Sequence, residues 1–146
     1  MVINREDFDI DSYLAFLLAK ASHSVSSALH EQLRSKGVSI GTWRILAVLS
    51  GGSRTVSELA SMVLLNQSTL SKALDKLEQQ GLVVRERDPS ARRQVNLSIT
   101  DEGEAFVVKM LPLMKSHERQ SFAHLNSKEQ RQLVALLQKT IVQREH

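Results

Sequence analysis

The chain has no cysteine among its 146 residues. That absence removes thiolate nucleophiles, cysteine-ligated zinc, iron–sulfur clusters and redox-sensing disulfides together. It also lacks an early hydrophobic run long enough to cross a bilayer. The longest, Tyr13 to Ala19, is closed by Lys20 and preceded by acids where a signal peptide needs bases. No membrane partner is expected, and the chain reads as cytoplasmic. No GK[ST] follows Gly51 and Gly52, so that pair marks a turn rather than a phosphate cradle. No nucleophile–base pair, internal repeat or low-complexity tract is present, and neither an enzyme nor a bound cofactor is expected. His23 and His30, like His117 and His124, stand seven apart. Metal sites favour an i,i+4 pair or a carboxylate cluster, so no metal is expected, while a pH-sensitive interface stays open.

Charge of one sign is scarce overall: 19 basic against 16 acidic side chains leave +3, too little to identify a polyanionic partner. The distribution is more informative. Residues 1–12 hold Arg5 against Glu6, Asp7, Asp9 and Asp11, whereas residues 85–93 hold Arg85, Arg87, Arg92 and Arg93 against Glu86 and Asp88. At 42% hydrophobic, a chain of this length buries one sizeable core.

The apolar residues are patterned. Leu14, Leu17, Leu18, Ala21, Val25, Ala28, Leu29 and Leu33 step by three and four, the spacing of one buried stripe on a helix that Gly37 is placed to end. A shorter apolar helix is expected over roughly 42–49. Thr55, Val56, Ser57 and Glu58 form a capping-box pattern opening a helix to about Val63. Asn66 caps the next, where Leu70, Ala73, Leu74 and Leu77 turn inward and Ser68, Ser71, Lys72 and Asp75 fall on the opposite face. Two short helices in tandem, the second with a polar, small-residue front, read as a helix-turn-helix. After Gly81 the period drops from about 3.6 residues to about 2. Two antiparallel strands, within 82–87 and 94–99, are expected around a loop tipped by Arg92 and Arg93. Thr100 starts a helix whose segment Ala105 to Met114 is apolar except at Lys109, so it needs cover on more than one side; Pro112 is expected to kink it. A final helix from about Ser127 carries Leu133, Leu136, Leu137, Thr140 and Ile141 on one stripe. The fold class is mainly α with a small antiparallel β-ribbon.

A helix fronted by short polar side chains can lie against base edges in a DNA major groove. Gln67, Ser68, Thr69, Ser71 and Lys72 are the candidate contacts. Gln67 suits an adenine edge, the hydroxyls suit bases or phosphates, and Lys72 suits guanine or phosphate. Any one of them alone reads equally well as a solvated helix face. Arg92 and Arg93 suit a narrow, A·T-rich minor groove, or are a pair of surface arginines. Arg85 and Arg87 share one side of their strand, so one is expected on phosphate and the other paired with Glu86 or Asp88.

These pieces together resemble the MarR family of winged helix-turn-helix transcriptional regulators, over nearly the whole chain. The resemblance rests on Thr55-Val-Ser-Glu-Leu-Ala, Gln67-Ser-Thr-Leu-Ser, Leu77-Glu-Gln-Gln-Gly-Leu-Val, Asp88 through Arg93, and Leu97-Ser-Ile-Thr-Asp-Glu-Gly103. One position departs: where the family wing usually places an acid before its arginine, this chain has Ala91, so either Asp88 substitutes for it or the wing is floppier. The resemblance implies an N-terminal dimerisation helix in 1–37, a winged helix-turn-helix lobe in 38–100 and C-terminal dimerisation helices in 101–146. It implies a homodimer on double-stranded DNA, a repressor reading a pseudo-palindromic operator with half-sites roughly 10 base pairs apart. The apolar segment Ala105 to Met114, which a small chain hardly buries alone, points to the same self-association, although a central core helix would also explain it. Many members also resemble sensors of small aromatic or acidic effectors, held between dimer helices and DNA-binding lobe. Tyr13, Phe16, Trp43, Arg44, Met110 and Met114 are the candidate lining, with Arg44 for a carboxylate; aromatics and methionines at this spacing are more often plain core, and an arginine there more often a salt bridge or surface charge. The rival reading is a winged-helix protein-interaction module that never touches DNA.

Overall fold

In the computed structural model, which describes residues 8–90 and 94–141, a single 3-10 turn at Ile10–Ser12 leads into helix α1 (Leu14–Arg34). Gly37 ends this segment as expected. Its φ of +70° lets its own N–H reach the Arg34 carbonyl at 3.0 Å and the Val38 N–H reach that of Leu33 at 3.1 Å, a left-handed cap that costs a glycine least. Helix α2 (Ile40–Ser50) begins under Ser39, whose Oγ accepts from the Thr42 N–H at 3.0 Å.

Strand β1 (Arg54–Thr55) runs directly into α3 (Val56–Val63) through the expected capping box: Glu58 N–H donates to Thr55 Oγ1 at 3.2 Å and Thr55 N–H to Glu58 Oε2 at 2.8 Å. The turn from α3 to α4 (Gln67–Gln79) passes through Leu64 at φ +60°, the one non-glycine with positive φ among the described residues. Leu64 is 77% exposed, so packing returns little for that conformation. Leu64→Gly is therefore expected to stabilise the fold by about 0.5–1 kcal/mol, read as a higher urea midpoint. A lower midpoint would show the leucine side chain to be needed there.

Strands β2 (Val83–Arg87) and β3 (Val95–Ile99) pair antiparallel, from Val83 opposite Ile99 to Arg87 opposite Val95. The sheet has three strands rather than the two expected, in the order β1-β3-β2, because Arg54 and Thr55 pair with Leu97 and Asn96. A two-residue strand is too short to show alternation, and its role as the entry to α3 hid it.

One core joins these elements: Ile45, Leu46 and Leu49 of α2, Leu59 and Val63 of α3, Leu70, Leu74 and Leu77 of α4, Val83 and Leu97 of the sheet, and Val107 of α5 (Asp101–Ser121). The α1 stripe behaves differently. Only Leu33 is buried, Val25 and Leu29 are half-buried, and Leu14, Leu17 and Leu18 are exposed, so the periodicity located an apolar face that the protomer leaves uncovered. Along α5, Val107 and Met110 are buried while Val108 and Leu111 are exposed.

Helix α5 runs unbroken through Pro112, and the chain divides into two compact units between Leu111 and Pro112. In the second unit α6 (Ser127–Ile141) begins at Ser127 as expected, with Asn126 as its cap. Asn126 Oδ1 accepts from the Glu129 N–H at 2.9 Å and Glu129 Oε2 accepts from the Asn126 N–H at 2.8 Å. No helix among the described residues is long and apolar enough to cross a membrane.

Candidate nucleic-acid interface

Helix α4 starts at Asn66, whose Oδ1 accepts from the Thr69 N–H at 2.8 Å and the Ser68 hydroxyl at 2.9 Å. Ser68 thus donates locally and keeps its lone pairs for a donor. Leu70, Leu74 and Leu77 are at most 1% exposed and anchor one face. Gln67, Ser68, Thr69, Ser71 and Lys72 are all exposed, within about 8 Å of helix length at the end where free N–H groups favour anions. All five recognition-helix candidates therefore share one solvent-facing end.

The wing is built from β2, β3 and the loop between them. Arg85 does not pair with Glu86 or Asp88 as expected. Its Nη2 lies 2.6 Å from Asp75 Oδ1 and its Nε 3.2 Å from Glu78 Oε2, both on α4. The expectation failed because Glu86, adjacent on a pleated strand, points to the opposite face. Arg87 is exposed and makes no ion pair among the described residues. Asp88 closes the loop base: its carboxylate accepts from the Ser90 hydroxyl at 2.6 Å and N–H at 2.9 Å, and its N–H donates to the Gln94 carbonyl at 2.9 Å. The Ser90 hydroxyl first, and its N–H second, hold the Asp88 carboxyl below its ordinary value. The charged form is favoured, so these bonds are strongest at neutral pH and weaken as acid titrates Asp88 through that lowered value. Ala91, Arg92 and Arg93, the expected wing tip, lie outside the described residues.

The candidate effector residues are scattered in character. Met110 is 3% exposed, Trp43 packs against the core, Arg44 and Phe16 are half-buried, and Tyr13 is exposed with its ring 5.4 Å from that of Phe8. Met114 is half-buried in the second unit. A cavity of about 450 Å³ in the first unit contains none of the six. It is lined instead by His30 and Arg34 of α1, Lys36 to Ser39, Thr42 of α2, Lys76 of α4, Gln80 just after it, Leu82 and Phe106. Its Arg34, Lys36 and Lys76 make no ion pair among the described residues. The sequence signal for this site was weak, since its cations come from three separate segments. His117 is buried beside Ser121 Oγ at 3.2 Å, while His23, His30 and His124 are exposed. Among the described residues no three metal-ligating side chains cluster.

Residues 36–94 match the family model described as the MarR family. The chain is also 30% identical over 138 residues to the HTH-type transcriptional regulator PecS of Dickeya dadantii, spanning 91% of this chain and 83% of that protein. The chain belongs to the MarR family. Another regulator, YkoM of Bacillus subtilis, is 29% identical, covering 98% of this chain and 94% of its own. A MarR-family regulator from Silicibacter pomeroyi superposes with a TM-score of 0.84 at 27% identity, covering 98% of both chains. In MarR-family terms α3 and α4 are the helix-turn-helix and β2–β3 the wing. The protein is a winged helix-turn-helix transcriptional regulator.

Proposed function

We propose that this MarR-family chain represses transcription as a homodimer on a pseudo-palindromic operator. Its α4 front enters successive major grooves, and the wing, with Arg87, Arg92 and Arg93, meets the flanking backbone and minor groove. The observation that carries this reading is the division of α4 between a face of buried leucines and an end where Gln67, Ser68, Thr69, Ser71 and Lys72 are all exposed. A mutant of Escherichia coli MarR with this fold, at a TM-score of 0.75 and 22% identity, was solved with operator DNA, which supports the same use of the fold here. Repression is supported by MdtR of Bacillus subtilis, a repressor 30% identical over 110 residues. Phosphate contacts supply much of such affinity, so titration of a duplex at two salt concentrations tests it. Affinity should fall steeply with salt; no binding at low salt, or none of that dependence, would leave the interaction-module reading.

The exposed Leu14 and Leu18 of α1, one helical turn apart, support a homodimer. Leu14→Asp/Leu18→Asp puts acids in the first turns of α1, where the helix dipole tolerates them, so the protomer should stay folded. The sedimenting species should shift from dimer to monomer at micromolar concentration. An unchanged dimer would exclude this face from the interface.

An effector is supported by the 450 Å³ cavity, lined by the cations Arg34, Lys36 and Lys76 and by the apolar Phe106 and Leu82, a combination that suits an aromatic acid. BpsR of Bordetella bronchiseptica, a structure of the same fold at 22% identity, has its DNA binding regulated by 6-hydroxynicotinic acid. An effector that prefers the non-binding form about 100-fold shifts the equilibrium by roughly 2.7 kcal/mol at saturation. Release of labelled duplex by simple aromatic carboxylates, abolished in Lys76→Ala, checks this assignment.

A further inference from the structure

We propose that Arg85 is a positioning residue: its guanidinium fixes the base of the wing on the recognition helix, so that both reach the duplex in one set arrangement, and it does not itself contact DNA. The inference rests on the DNA reading above. Alternation along β2 puts Arg85 on the same face as Val83, which is buried, and its cross-strand partner Leu97 is buried as well. Arg85 therefore belongs to the side of the ribbon that faces α4, where its guanidinium lies at the surface between strand and helix. The counter-charges are Asp75 and Glu78, three apart on α4 and hence on one face of it.

Two different nitrogens of one planar group take the two carboxylates, at 2.6 and 3.2 Å. A fork of this kind fixes direction as well as distance, which a lysine ammonium does not. The Arg85 side chain is 34% exposed, and the two acids engage its Nη2 and Nε and offset its charge toward a phosphate. Asp75 lies three residues beyond Lys72, so the clamp grips α4 within a turn of its candidate DNA contacts. Arg87, two residues nearer the tip and free of ion pairs among the described residues, is the strand's available cation for phosphate.

The absence of cysteine makes the test direct. Spin labels on Gln79→Cys and Gln94→Cys, both exposed, report the distance from α4 to the wing within a protomer by pulsed electron resonance when the labelled chain is diluted into excess unlabelled protein. In the DNA-free protein the distribution should be narrow, and it should broaden both with Arg85→Ala and with Asp75→Asn/Glu78→Gln. An equally narrow distribution in both variants overturns the proposal, whatever happens with DNA. In duplex titrations Arg85→Ala should weaken binding roughly fivefold while the slope of log affinity against log salt stays that of the parent. A slope lower by about one would make Arg85 a phosphate contact and overturn the proposal. A parent that binds no duplex at low salt removes the DNA reading, and the label distances still decide whether Arg85 sets the wing.

Discussion

Gly103→Ala is expected to destabilise the protein by about 3 kcal/mol, lowering its melting temperature by roughly 6–12 °C. A Cβ on Gly103 would collide with the Leu82 carbonyl oxygen and lie 2.5 Å from Ile99 Cγ1. Neither neighbour gives way easily. Leu82 O accepts from the Thr100 N–H at 3.1 Å, and Thr100 Oγ1 donates to Gly81 O at 2.6 Å while accepting from the Gly103 N–H at 3.1 Å. Backbone is pressed against backbone where the end of β3 turns into α5, and the methyl would force these bonds apart. Gly41→Ala is the control. Its nearest contact is the flexible Leu65 side chain at 3.3 Å, and it sits inside α2, where alanine is favoured over glycine by about 1 kcal/mol. Thermal unfolding followed by circular dichroism should separate the two; a Gly103→Ala protein that melts with the parent would refute the close approach.

The second large effect concerns binding. Lys72→Glu should reduce duplex affinity by about 100-fold, or roughly 2.7 kcal/mol, because it deletes a cation at the α4 front and sets a like charge against phosphate. Lys72 is exposed and outside the core, so unfolding should hardly change. Affinity should fall on every sequence and the salt slope should flatten. Gln67→Ala should instead blur the preference among sequences while leaving non-specific binding in place. Undiminished affinity in Lys72→Glu would mean that α4 is not the element presented to the duplex.

Local chemistry made much of this fold legible. The capping box at Thr55 and Glu58 and the period of Leu70, Leu74 and Leu77 each depend on neighbours within four residues, and both appear in the structure where the spacing puts them. Features that depend on distant partners were not legible. The α1 stripe showed an apolar face but not that the protomer leaves its N-terminal half exposed. Strand β1 exists only because β3, some forty residues later, comes alongside it. Arg85 read as a DNA contact or a partner of its neighbours, because only the crossing of β2 over α4 reveals Asp75 and Glu78. The cavity cations, gathered from α1, the following loop and the far end of α4, gave no common signal for the same reason.

Thr55 belongs to two elements at once: its backbone pairs with Asn96 in the sheet while its hydroxyl and N–H close the start of α3. The outer edge of the ribbon and the first helix of the reading head are thus tied through a single peptide unit. Neither can fray without loosening the other, so a disturbance that begins at the finger is carried into the helix pair without any intervening hinge.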